Sequence, residues 1–111
     1  MEREELEKLT RDYQMIQEQL QTLAMQKEQF GAQREENKEA LAEIEKATGK
    51  VYTAVGGAIV ESTKDAALKN IKEKQDTIEM RLSIINKQND ELSKRERALR
   101  EQITAALKVE K

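Results

Sequence analysis

Apolar residues recur at alternating steps of three and four along almost the whole chain, and the rhythm breaks only once, near the middle. Within residues 1–48 the series is Leu6, Leu9, Tyr13, Ile16, Leu20, Leu23, Lys27, Phe30, Arg34, Asn37, Leu41 and Ile44. Steps averaging 3.5 residues keep a single stripe turned toward one partner helix, so this is a coiled-coil seam with a positions from Leu6 and d positions from Leu9. Nothing before Thr48-Gly49 stops the helix, which would run roughly 70 Å. Gly31, beside the seam, is expected to soften it. Within residues 64–111 the pattern returns as Leu68, Ile71, Gln75, Ile78, Leu82, Ile85, Asn89, Leu92, Glu96, Leu99, Ile103 and Ala106. Ser62 and Thr63 are candidate N-caps for this second helix, and Asp65, three residues after Ser62, makes an approximate capping box.

The break, residues 49–63, is the only stretch with clustered β-branched residues. Two short runs, Val51 to Val55 and Ala58 to Ser62, flank Gly56-Gly57, a pair that can adopt the positive φ of a tight two-residue turn. The spacing predicts a β-hairpin; a plain glycine-rich loop is the competing reading, but it gives no reason for Val51, Val55, Ile59 and Val60. Apolar groups fall on both faces, with Val51, Val55 and Ile59 expected on one and Tyr52, Ala54 and Val60 on the other. Two strands alone are marginal in water. The hairpin is therefore expected to pair with other subunits, closing into a barrel through Val51, Tyr52, Val55, Gly56, Gly57, Ile59 and Val60. Packing on the base of its own coil is the alternative.

If the chain folds back at the turn, facing seam positions have residue numbers adding to about 112. Leu41 then meets Ile71, Phe30 meets Leu82, Leu20 meets Leu92, Tyr13 meets Leu99, Leu9 meets Ile103 and Leu6 meets Ala106, while the amides of Asn37 and Gln75 face each other. Charge favours that arrangement. Residues 1–48 hold 12 acidic and 7 basic side chains, net −5, and residues 64–111 hold 9 acidic and 12 basic, net +3. Flanking pairs in this register are Lys38 with Glu79, Glu45 with Lys72 and Asp12 with Arg95, each worth a few tenths of a kcal/mol. A parallel coil of two chains is the alternative pairing. The expected fold is all-α dominated and a single domain: an N-terminal coiled-coil helix (1–48), a β-hairpin assembly element (49–63) and a C-terminal coiled-coil helix (64–111).

Composition narrows the function. The 111 residues include no His and no Cys, which removes imidazole and thiolate chemistry, so no catalytic, cofactor or metal site is expected. The glycines, Gly31, Gly49, Gly56 and Gly57, do not form a phosphate-binding loop. No apolar run reaches membrane-span length, and the charged start, MEREELEKLTRD, is not a signal peptide, which points to a cytoplasmic protein. Lys94, Arg95, Arg97 and Arg100 cluster, but with a formal net charge of −2 no nucleic-acid partner is expected. The far ends carry Leu6, Leu9, Tyr13, Leu99, Ile103, Ala106, Leu107 and Val109, where a fraying coil covers them incompletely and an adhesive surface can form.

The order of heptad helix, Val51-Tyr52, Val55-Gly56, Ile59-Val60, Lys64-Asp65 with Leu68, and the run from Glu73 to Leu92 resembles the beta-type subunits of the prefoldin family of molecular chaperones, of the archaeal type, over the entire chain. Gly57 departs from the family, in which another residue often stands there, and leaves the turn type open. The resemblance implies a hetero-hexamer of two alpha-type and four beta-type subunits joined through a double β-barrel. It further implies that the coiled-coil tips hold unfolded proteins and deliver them, without ATP, to a group II chaperonin. A structural coiled-coil scaffold or tether without client-holding activity is the alternative function.

Overall fold

The computed structural model describes residues 2–109. Helix α1 spans Arg3–Lys46 and helix α2 spans Lys64–Val109, with strands β1 (Val51–Val55) and β2 (Ala58–Ser62) between them. The helices are rich in Leu, Ala, Glu, Lys, Gln and Arg, which lose little side-chain freedom in a helix. Helix α1 runs unbroken through Gly31, whose cost of about 1 kcal/mol the flanking helix formers absorb.

The junctions are closed by side chains. Thr63 is the N-cap of α2: its Oγ1 accepts the Ala66 N–H at 3.1 Å, and its carbonyl accepts the Ala67 N–H at 3.0 Å. Ser62 belongs instead to β2 and donates its hydroxyl to the Thr63 carbonyl at 3.3 Å, so the Ser62–Asp65 capping box expected from sequence does not form. At the end of α1 the last carbonyls lack helical partners. The Lys64 ammonium answers them, donating to the Glu45 carbonyl at 2.7 Å and the Ala47 carbonyl at 3.5 Å, which ties the first residue of α2 to the last turn of α1.

Strands β1 and β2 pair antiparallel with Val51 opposite Ser62, Thr53 opposite Val60, Ala54 opposite Ile59 and Val55 opposite Ala58. Directly opposed residues share a face. Val60 therefore lies with Val51, Thr53 and Val55, and Ile59 with Tyr52 and Ala54, which reverses the expected placement of Ile59 and Val60. The two-residue turn sets that parity, because it pairs each odd-numbered residue of β1 with an even-numbered one of β2. Only Gly56 has positive φ, at 60°, as a type II′ turn requires of its first central residue. Gly57 sits in a conformation open to other residues, which settles the turn type.

The chain divides into two compact units, one made of residues up to Lys27 and from Ile84 onward, the other of Glu28–Ser83. In each, a stretch of α1 lies with a stretch of α2. Ile16, Leu23, Ile85 and Ala106 are buried in the first unit, and Val51, Ala67, Ile78 and Leu82 in the second. Every position of both seams is buried or half-buried except Lys27, which is exposed because its ammonium stays in water.

The turn geometry yields a paired test. Gly56→Val should lower stability by about 1 kcal/mol or more, whereas Gly57→Ala should change it by less than about 1 kcal/mol, in either direction, in urea unfolding monitored by circular dichroism.

Candidate functional site

The hairpin places large apolar side chains in water on both of its faces. Val55 is 64% exposed on one face, and Ile59 and Tyr52 are 77% and 57% exposed on the other, with Val60 also exposed. Val51 alone of the expected assembly residues is buried, at the start of β1. Lys50 and Glu61 approach to 3.8 Å across the ribbon, an exposed pair of little energetic weight. Among the described residues nothing covers Val55 or Ile59.

At the other candidate surface, Leu6, Leu9, Tyr13, Leu99 and Ile103 are half-buried along the seam. Ala106 is buried and Leu107 is 49% exposed. The side chain of Val109 lies outside the described residues. Among these residues Leu107 is thus the open one, Ala106 belongs to the packing of the coil, and the remainder show water one edge each.

Tyr13 is the most strongly engaged of them. Its hydroxyl accepts a hydrogen bond from Gln17 Nε2 at 2.8 Å, and Glu96, a seam residue whose side chain is 16% exposed, lies beside it and pairs with Arg100 at 3.7 Å. Partial burial first, and then the Glu96 carboxylate, hold the phenol above its ordinary pKa of 10.0, against opposing effects of Arg100 and Gln17.

In the Glu28–Ser83 unit, the Arg34 guanidinium meets Glu79 at 3.7 Å and the Arg81 guanidinium stands 5.7 Å from the centre of the Phe30 ring. Lys38 pairs with Glu35 on its own helix at 3.6 Å, not with Glu79 as expected. Arg34 takes the Glu79 carboxylate instead, and Glu45 with Lys72 and Asp12 with Arg95 form no ion pair either. Gln75 donates to Glu79 at 3.2 Å in place of the expected partner Asn37. Sequence reasoning missed Lys64 as a cap and the burial of Ala67; the Lys64-Asp65 motif marked the first without showing its role.

No helix among the described residues is long and apolar enough to cross a membrane. A family model described as prefoldin subunit matches residues 7–110. The prefoldin subunit beta of Pyrococcus furiosus is 42% identical over 94 residues, which cover 83% of this chain and 80% of the relative. That of Methanococcoides burtonii is 40% identical over 96 residues, 85% of this chain and 82% of the relative. The crystal structure of the prefoldin beta subunit from Thermococcus strain KS-1 is similar with a TM-score of 0.85 at 35% identity, covering 93% of this chain and 92% of that one.

The raised pKa of Tyr13 makes stability depend on alkaline pH. The neutral phenol is favoured in the folded chain, so its contribution is complete below pH 10 and is lost as pH rises through the higher folded-state value. The thermal midpoint of the unaltered chain should fall more steeply above pH 10 than that of Tyr13→Phe, with Tyr52 present in both; parallel pH profiles would contradict this.

Proposed function

The chain belongs to the prefoldin subunit family, and we propose that it serves there as a beta-type subunit, joined through its hairpin to two alpha-type and three further beta-type chains. It is a chaperone subunit and not an enzyme. The observation that carries the assembly is the hairpin with Val55 open on one face and Tyr52 and Ile59 open on the other. A side chain of that size contributes roughly 1.5–3 kcal/mol when buried, and a two-stranded ribbon gains little stability alone. Neighbouring hairpins closed into a barrel would cover both faces and occupy the free strand edges. A single hairpin between two helices suits the beta type, because alpha-type chains carry two.

Client holding is assigned to the opposite ends of the helices, at Leu6, Leu9, Tyr13, Leu99, Ile103 and Leu107. Support comes from the half-open edges of these residues and the exposure of Leu107. Ala106 contributes through the seam rather than through contact with a client. The clients are unfolded proteins, released without ATP to a group II chaperonin in the cytoplasm.

Two experiments bear on this reading. Replacing Val55 and Ile59 together with Asp places a charge on each face of the hairpin, and burial of such a charge costs several kcal/mol; mixed with an alpha-type subunit, the variant should remain at single-chain mass in analytical ultracentrifugation while keeping its helical circular dichroism. An assembled particle of unaltered mass would contradict the hairpin's role. Deleting residues 1–9 and 103–111 should have the reverse effect, leaving the oligomer intact and abolishing protection of a denatured client from aggregation. Full protection by the truncated oligomer would move the client surface away from the ends, and absence of protection by the oligomer of the full-length chain would favour the scaffold reading.

A further inference from the structure

The polar residues set into the seam of the Glu28–Ser83 unit are used by neither the hairpin nor the helix ends. Arg34 and Asn37 hold a and d positions of α1 and Gln75 holds an a position of α2, among Phe30, Leu41, Ile71, Ile78 and Leu82, all buried or half-buried. Arg34 reaches Glu79 on the other helix at 3.7 Å, and the same carboxylate oxygen accepts the Gln75 amide at 3.2 Å. Asn37 and Gln75 line one groove with Leu41 and Ile71. Within the layer two polar atoms, Arg34 Nε and Gln75 Oε1, are buried without a hydrogen-bond partner. Leucine at these positions would avoid that penalty, so the layer is not built for greatest stability.

We propose that this layer selects the pairing of the coil, confining α1 to α2 of the same chain, two helices at a time and in one register. Asn37 and Gln75 oppose each other only in that register. A slip of one heptad sets Asn37 against Leu82 or Leu68 and Gln75 against Ile44 or Phe30, and it carries Arg34 away from Glu79. Parallel pairing of α1 with another copy stacks identical positions, which brings Arg34 onto Arg34 and Lys27 onto Lys27. Packing two helix pairs into a four-helix bundle encloses Arg34 and Glu79, whose side chains are now 38% and 50% exposed. A slip buries Arg34 without Glu79 and sets each amide opposite an apolar side chain, parallel pairing stacks like charges, and a four-helix bundle strips water from the Arg34–Glu79 pair. A seam of leucine carries no such penalty and distinguishes poorly among oligomeric states.

The test compares two full-length chains that share the Val55→Asp and Ile59→Asp changes, one with the natural layer and one also carrying Arg34→Leu, Asn37→Leu and Gln75→Leu. Sedimentation equilibrium should find the first at the 12.8 kDa of one chain and the second at twice that mass or more, with a thermal midpoint higher by about 5 °C. The readout is the difference between two chains with the same altered hairpin, so it stands apart from whether the hairpin mediates assembly. A third chain, R34E/E79R in the same background, keeps the ion pair across the helices and should keep the mass of the natural layer. Equal masses for the leucine chain and its parent, or association of R34E/E79R to the extent of the leucine chain, would overturn the proposal.

Discussion

A stripe of apolar residues repeating every 3.5 positions cannot be buried by the helix that carries it, so each helix here depends on the other for its stability. The chain has no second resource. Aromatic residues make up 3% of it, and among the described residues only Ala67 has no exposed surface. Burial is spread thinly along a line of half-covered side chains, each contributing a part of the roughly 1.5–3 kcal/mol that full burial would yield. A polar residue on that line is therefore felt locally and cannot be absorbed by a deep core. That is why Arg34, Gln75 and Glu96 each hold a named partner, while the outward faces bear charges that pair within one helix, as Arg3 does with Glu7 at 3.3 Å.

The hairpin obeys a different constraint. Its two-residue turn fixes which residues oppose one another, and that choice decides which face each apolar side chain joins. Lys64 and Thr63 then fasten the strands to the helices, one by capping the carbonyl end of α1 and the other by capping the amide end of α2. A ribbon held at its base can leave Val55 and Ile59 in water without losing its local structure, so the surface proposed to meet other subunits would be formed before they arrive. Such preorganisation reduces the ordering cost of association.

How much of this was legible in the sequence follows from the physics of each element. Both helices and both strands were readable because their signals are local and periodic: steps of three and four, then β-branched runs of five residues around two glycines. The facing of Ile59 and Val60 follows from the two-residue turn, which sets Val55 opposite Ala58 and resets the alternation; carrying simple odd–even alternation across the turn puts Ile59 with Val51 and Val55 instead. Ion pairs were read poorly for a related reason. Facing numbers place Lys38 near Glu79, but side-chain reach and solvation choose Arg34 instead, and several long side chains compete for each carboxylate. Ala67 carries no signal of its own, since a small residue in the first turn of a helix looks alike whether buried or open.

For the ends of the helices, magnitudes decide what kind of binding is open to them. Leu107 and the free edges of Leu6, Leu9 and Leu99 amount to two or three aliphatic side chains buried in a client, roughly 1.5–3 kcal/mol each before costs. Lost translational and rotational freedom takes several kcal/mol from that sum, leaving about millimolar affinity or weaker for one chain. A single subunit would thus release an unfolded protein almost as soon as it met it. Several subunits joined through their hairpins, as proposed, would change the arithmetic, because after the first contact the remaining ends would face the client at a high effective concentration, and weak contacts would multiply into useful retention. The same weakness would make nucleotide unnecessary for release: contacts would open one at a time, and a competing chaperone could occupy each stretch of client as it came free. Stronger apolar ends would hold clients longer but would also draw the ends of separate chains together, so the modest exposure of these residues favours a protein that must stay dispersed while it binds.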